Sequence, residues 1–244
     1  MRVADELRDY EYDKAYKPNR PLVRGDVTFP ELYWTLGVTA VVLLGFNATL
    51  SIARTAALAF IVVHSLVLWV LEKKWGRYRD GMFFALPVWV LIFCAQAVYV
   101  CVAHAERCGS AVSMRGALAG AATIFMYLHW EVARKTAWPQ SSKPGEKLYS
   151  SEVGTAPAML IAVGFAVLAS ALMIGLVSPW SEGNRDSMVV WLLAIPPALA
   201  LFNAVRFLRG RGIAAGPGPL ATATYFSFIG LLAFCVIVVR VVHG

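Results

Sequence analysis

Charge is scarce in this sequence: only 15% of residues are Asp, Glu, Lys or Arg, where a soluble domain carries about a quarter. With 59% hydrophobic residues and a mean hydropathy of +0.62, the chain is too apolar for a soluble globular domain. Cysteine is also sparse. Cys94, Cys101, Cys108 and Cys235 form no CxxC pair and no metal-type spacing, which excludes a zinc ribbon or a redox dithiol. Three of them sit in apolar runs as small core residues, while Cys101 and Cys108 flank a predicted loop and could form a disulfide. A basic tip followed by an apolar run is missing at the N-terminus, so there is no secretory signal pattern. Phosphate-binding glycine loops, nucleophile triads, haem and zinc signatures, repeats and low-complexity segments are missing as well.

What the chain has is long apolar runs. They extend from Tyr33 to Ala48, Ala56 to Leu71, Met82 to Ala103, Gly116 to Trp130, Ala156 to Val177, Met188 to Val205 and Leu220 to Val242. Most approach the roughly 17 to 25 residues that cross a bilayer as a helix. Lipid offers no partner for backbone polar groups, and the runs are too long and uniform for barrel strands, so helices are expected. The predicted fold is all-α: one polytopic transmembrane helix bundle over residues 1–244, with seven spans. Pro87 and Pro196-Pro197 lie inside runs and predict kinks.

The basic residues explain a formal net charge of +7 without nucleic acid. They gather in alternate connections: Arg2 to Arg24, Lys73 to Arg79, Arg134 to Lys147, and Arg206 to Arg211. The other side holds only Arg54, Arg107, Arg115, Arg185 and Arg240. The positive-inside rule puts the first set in the cytoplasm, and Tyr33, Trp34, Trp75, Trp138 and Trp180 at run ends fit interfacial anchors. The expected location is a bacterial inner membrane, crossed several times, with the active face cytoplasmic and the lipid bilayer as partner.

Asp5, Asp9 and Asp13 recur at i, i+4 and i+8, a spacing that stacks side chains on one helix face. Like charges so placed repel, and the row reads either as a divalent-cation site or as a solvated acidic helix end. Hard cations such as Mg²⁺ accept a few carboxylates and share the rest of their shell with water and phosphate oxygens. A second acidic and basic set follows the fourth run, with Glu131, Arg134 and Lys135, then Glu146, Lys147 and Tyr149. Carboxylates for a metal, cations for phosphate oxygens and an apolar interior for a long tail together suit a lipid diphosphate.

The motif Asp5-x-x-x-Asp9-x-x-x-Asp13, continued by Lys17-Pro18-x-Arg20-Pro21-Leu-x-Arg24-Gly25, resembles the first signature of the UbiA superfamily of intramembrane prenyltransferases. Glu131-x-x-Arg134-Lys135 with Gly145-Glu146-Lys-Leu-Tyr149-Ser150 resembles a variant of the second signature. The resemblance implies a nine-helix bundle in which aspartates hold Mg²⁺. The ion in turn holds the diphosphate of a polyprenyl diphosphate donor, whose ionisation gives an allylic cation captured by an acceptor. It implies Asp9 and Asp13 as catalytic Mg²⁺ ligands, with Asp5 and Glu131 as further metal residues. Arg20, Arg24, Arg134, Lys135 and Tyr149 become the diphosphate contacts.

The sequence departs from that pattern twice. Arg134 and Lys135 stand where many members continue with acidic residues, so direct neutralisation of diphosphate by these cations is an alternative to a second metal. The family's first helix and most of its second are missing ahead of Asp5, and the chain reads as a truncated member with seven of nine helices. The acceptor is unknown. Terpene cyclisation or phosphoribosyl transfer to a lipid phosphate on the same scaffold, or a non-catalytic membrane protein, are the competing readings. His129 reads as an interhelical hydrogen-bonding residue or a base near the acceptor. His64 reads as a ligand contact or a structural group, and Asn47, Gln96 and Asn203 as polar glue between helices.

Overall fold

The computed structural model describes residues 2–180, 185–210 and 216–243. Among these residues the only regular structure is helical. The chain divides into two compact units, Met1–Val112 and Ser113–Gly244.

The first unit opens with three short helices: α1 (Arg2–Arg8), α2 (Tyr10–Tyr16) and α3 (Pro21–Arg24). Gly25 closes α3 in the left-handed region at φ 80°, with Asp26 N–H returning to the Pro21 carbonyl at 3.0 Å. That turn requires a residue without a Cβ, which accounts for glycine after Arg24. Three long apolar helices follow: α4 (Phe29–Ala48), α5 (Ile52–Lys74) and α7 (Met82–Cys108), with the single-turn α6 (Gly76–Asp80) before α7. A reciprocal Thr28–Glu31 capping box starts α4. Short connections make the three long helices antiparallel neighbours, and α1 packs on α4 and α5.

Leu68, Tyr78 and Ile92 centre this core. Polar bonds cross it as well: Tyr99 donates to Asn47 Oδ1 at 2.9 Å, and His64 Nε2 meets the Val88 carbonyl at 2.9 Å. Asn47 is therefore interhelical glue, and His64 has a structural partner. Trp34, Val41, Val42, Phe46, Phe60 and Val63 point outward and are exposed. Such a girdle is costly in water and neutral in lipid.

The second unit is built around α8 (Met114–Arg134), packed against α10 (Thr155–Val177) and α12 (Gly218–His243). Between them lie α9 (Tyr149–Val153), a 3₁₀ stretch (Arg185–Ala194) and α11 (Ile195–Arg209). The α10 face toward its neighbours is Ala158, Ala162, Ala166 and Ser170, all buried at four-residue spacing. Small residues at that spacing let helix backbones approach closely, the usual packing of helices in membranes. The approach allows His129 Nδ1–H on α8 to donate to the Ala162 carbonyl at 2.9 Å. His129 is thus an interhelical hydrogen-bonding residue. The long 3₁₀ stretch gives way to α11 at Ile195, with Pro196 and Pro197 in its first turn, where a missing N–H breaks no helical bond; these prolines start a helix and do not kink one.

All seven apolar runs are helical, and among the described residues six helices are long and apolar enough to cross a membrane: Phe29–Ala48, Ile52–Lys74, Met82–Cys108, Thr155–Val177, Met188–Arg209 and Gly218–Cys235. This is the pattern of a multi-pass membrane protein. The fourth run is the exception. Its helix carries Gly116, Gly120, Thr123, Tyr127, His129 and Glu131, and it buries Ala122, Met126, Leu128, His129, Glu131, Val132 and Ala133 against protein. A helix lined by neighbours has less need of lipid-compatible side chains.

Cys101 and Cys108 both lie within α7, not across a loop, and both are free thiols. Seven residues of helix separate them by about 10.5 Å, beyond the roughly 7 Å that a disulfide spans between Cα atoms. The disulfide is excluded.

Candidate functional site

The aspartate row starts from local helix geometry. Backbone bonds run Asp9 N to Asp5 O, Asp13 N to Asp9 O and Lys17 N to Asp13 O at 2.9, 2.7 and 2.7 Å, so helical spacing is kept. One continuous helix, however, is not formed. Asp9 sits at φ −92°, ψ 9° between α1 and α2, and the face is bent at its middle aspartate.

Each aspartate has a cation from its own segment. Arg8 donates Nε to Asp9 Oδ1 at 2.7 Å and Nη2 to Asp9 Oδ2 at 2.9 Å, and reaches Asp5 at 3.1 Å. Its guanidinium lies 4.3 Å from the centre of the Trp89 ring, and its side chain is only 7% exposed. Burial works to lower the Arg8 pKa. The Asp9 hydrogen bonds and the charges of Asp9 and Asp5 outweigh it and raise the pKa further above the ordinary arginine value. Trp89 Nε1–H donates to the Tyr78 hydroxyl at 2.8 Å, and burial is the main cause pushing Tyr78 up to about 12. Asp13 is buried, with Lys17 at 3.0 Å and Arg20 at 3.4 Å. Arg20 also donates to Glu6 at 2.9 Å. Arg24 pairs with Asp26 on the surface. Tyr10 of α2 meets Phe29 of α4 edge-on at 4.9 Å, holding the charged segment against the start of the apolar helices.

The second charged set closes α8. Glu131 has a side-chain exposure of 2%, yet both carboxylate oxygens are engaged. Oε2 accepts from Arg134 Nε at 2.8 Å and from its Nη2, and Oε1 meets Lys135 Nζ at 2.8 Å. Arg134 stacks 4.4 Å from the Trp130 ring centre. The loop after α8 folds back through Tyr149 N–H to the Lys135 carbonyl at 3.0 Å, Ala137 N–H to Ser150 Oγ at 3.0 Å, and Thr155 Oγ1–H to the Ala137 carbonyl at 3.0 Å. Tyr149 is buried. That burial, reinforced by the Glu131 charge, pushes its pKa up.

The two sets differ in their fit to a divalent ion. Asp5 and Asp9 are hard oxygen donors with side-chain exposures of 40% and 26%, open enough for an ion and its waters. They fit by donor chemistry, provided Arg8 yields its place. Glu131 is enclosed and saturated by two cations, and it does not fit; Asp13, at 3% side-chain exposure between Lys17 and Arg20, is closed in the same way. Among the described residues no three His, Cys, Asp or Glu side chains converge on one point.

The structure brings Asp5 with Asp9, Asp13 with Arg20, and Glu131 with Arg134 and Lys135; Arg24 stands apart with Asp26. Sequence reasoning passed over Glu6, Arg8 and Lys17 as site members. The signals were present: Arg8 is three residues after Asp5, and Lys17 four after Asp13, the spacings at which helical side chains meet. Compared with protein-family models, characterised proteins and solved structures, the chain matches none of them.

Proposed function

We propose that the chain is a UbiA-type membrane enzyme that transfers a prenyl group from a polyprenyl diphosphate to an acceptor. The observation that carries this reading is the charged cluster of Asp5, Glu6, Asp9, Asp13, Arg8, Lys17 and Arg20 packed at one end of apolar helices. A polyanionic head and a long apolar tail are the chemistry that such a junction recognises. Mg²⁺ would be held by Asp5 and Asp9, while Asp13 positions Lys17 and Arg20, and the ion would contribute charge stabilisation on the leaving diphosphate. Within the first unit, Arg20 and Arg24 would be the donors for phosphate oxygens; within the second, Arg134, Lys135 and Tyr149 offer the same chemistry. Cations aimed where charge develops favour ionisation over the bound ground state. The allylic carbon–oxygen bond breaks with its electron pair leaving on diphosphate, and the acceptor bonds to the cation and then loses a proton.

The test is incubation of the purified chain with labelled prenyl diphosphates, scored for diphosphate release with Mg²⁺ and with EDTA. Mg²⁺-dependent release supports the proposal. Release that is complete without an added acceptor points to cyclisation, and no release with any chain length contradicts catalysis.

A further inference from the structure

We infer that Glu131 is the internal counter-ion of a metal-free anion site, in which Arg134 and Lys135 contact phosphate oxygens directly. The inference rests on the reading that a diphosphate head is bound. It departs from the metal role that the resemblance implies for Glu131.

Three observations carry it. The Glu131 carboxylate is closed to solvent and takes a cation on each oxygen, whereas Mg²⁺ needs near-octahedral access and keeps several waters. One carboxylate against two cations leaves the cluster one positive charge in excess. The cations themselves remain partly open, at 34% and 24% side-chain exposure. Glu131 engages only Nε and Nη2 of Arg134, and stacking on Trp130 fixes the guanidinium plane. A planar fork held on one edge and open on the other suits a phosphate oxygen pair.

The start of α12 packs on the stem of Arg134: a Cβ at Gly218, its first residue, would lie 3.8 Å from Arg134 Cβ. The loop that carries Tyr149 is tied to the Lys135 carbonyl. Glu131 therefore acts as a positioning residue. It holds two mutually repelling cations at the end of α8, and the anion supplies the remaining countercharge.

The experiment titrates the full chain in detergent with inorganic pyrophosphate and, separately, with farnesyl diphosphate, each in EDTA and in Mg²⁺. Wild type is expected to bind at least one ligand in EDTA. Arg134→Gln and Lys135→Gln should each weaken that binding about tenfold, with Arg134→Lys restoring part of it. Binding of farnesyl diphosphate alone identifies a lipid-linked head as the occupant; binding of both identifies the free phosphate chemistry as sufficient. In Mn²⁺ titrations followed by electron paramagnetic resonance, Glu131→Gln should keep the wild-type metal affinity, while Asp9→Asn lowers it.

Binding seen only with Mg²⁺, or unchanged by both cation variants, overturns the inference and leaves the diphosphate reading standing. Loss of Mn²⁺ in Glu131→Gln as large as in Asp9→Asn does the same. No binding of either ligand in either medium overturns both.

Discussion

At the scale of single residues, Arg8 decides the state of the aspartate row. Its guanidinium already satisfies Asp5 and Asp9 and lies on Trp89, so any metal must displace it. Arg8→Met should therefore tighten Mn²⁺ binding severalfold; unchanged affinity would mean that these aspartates do not hold the ion. The same variant removes a buried cation and its ring contact. It should lower stability by about 1–3 kcal/mol, below the full cost of breaking a buried pair because both carboxylates are partly hydrated; chemical denaturation measures the loss. Tyr78 gives a prediction with a definite sign. Its pKa rises on folding to about 12 from the ordinary 10, so between those values the folded state keeps a proton that the unfolded state has lost. Stability is fully present below pH 10 and falls as pH rises toward 12. Tyr78→Phe should flatten that part of the pH–stability curve, and an unaltered slope would place the tyrosine in water.

At the scale of elements, backbone economy explains what the sequence made legible and what it hid. The Asp5–Asp9–Asp13 spacing was readable because the i to i+4 backbone bonds persist. The bend at Asp9 was not, because Arg8 also grips the adjacent Asp9 carboxylate, a contact between chain neighbours that helical spacing does not encode. Pro196-Pro197 marked a break in the sixth run, but the change there from a 3₁₀ stretch packed on α10 and α12 to the start of α11 was not legible from proline alone. The turn at Gly25 yields a clean test. A Cβ there meets nothing within 4 Å, so the cost of Gly25→Ala is conformational alone, about 1–2 kcal/mol. A loss below about 0.3 kcal/mol would show that the turn is not held at positive φ. The α10 alanine face predicts the opposite kind of loss. Ala162→Leu has no space beside α8 and should cost about 1–3 kcal/mol by overpacking, read from thermal melts in detergent.

At the scale of the whole molecule, composition alone established a helical membrane protein, and six apolar helices agree with it. Of the seven expected spans, the helix of the fourth run, α8, stands apart from the six apolar ones, with His129 bonded to α10 and Trp130 to α12. The charged sets were visible as residue types, whereas the pairing of each carboxylate with a cation appears only in three dimensions. That pairing sharpens the central claim, since it separates Asp5 and Asp9, open to an ion, from Asp13 and Glu131, which are closed. The most direct test is diphosphate release from a labelled prenyl diphosphate by wild type, Asp9→Asn and Asp13→Asn, with folding of each variant checked by circular dichroism. The account predicts Mg²⁺-dependent release by wild type and a loss of a hundredfold or more in both folded variants. Wild-type rates in those variants would contradict it.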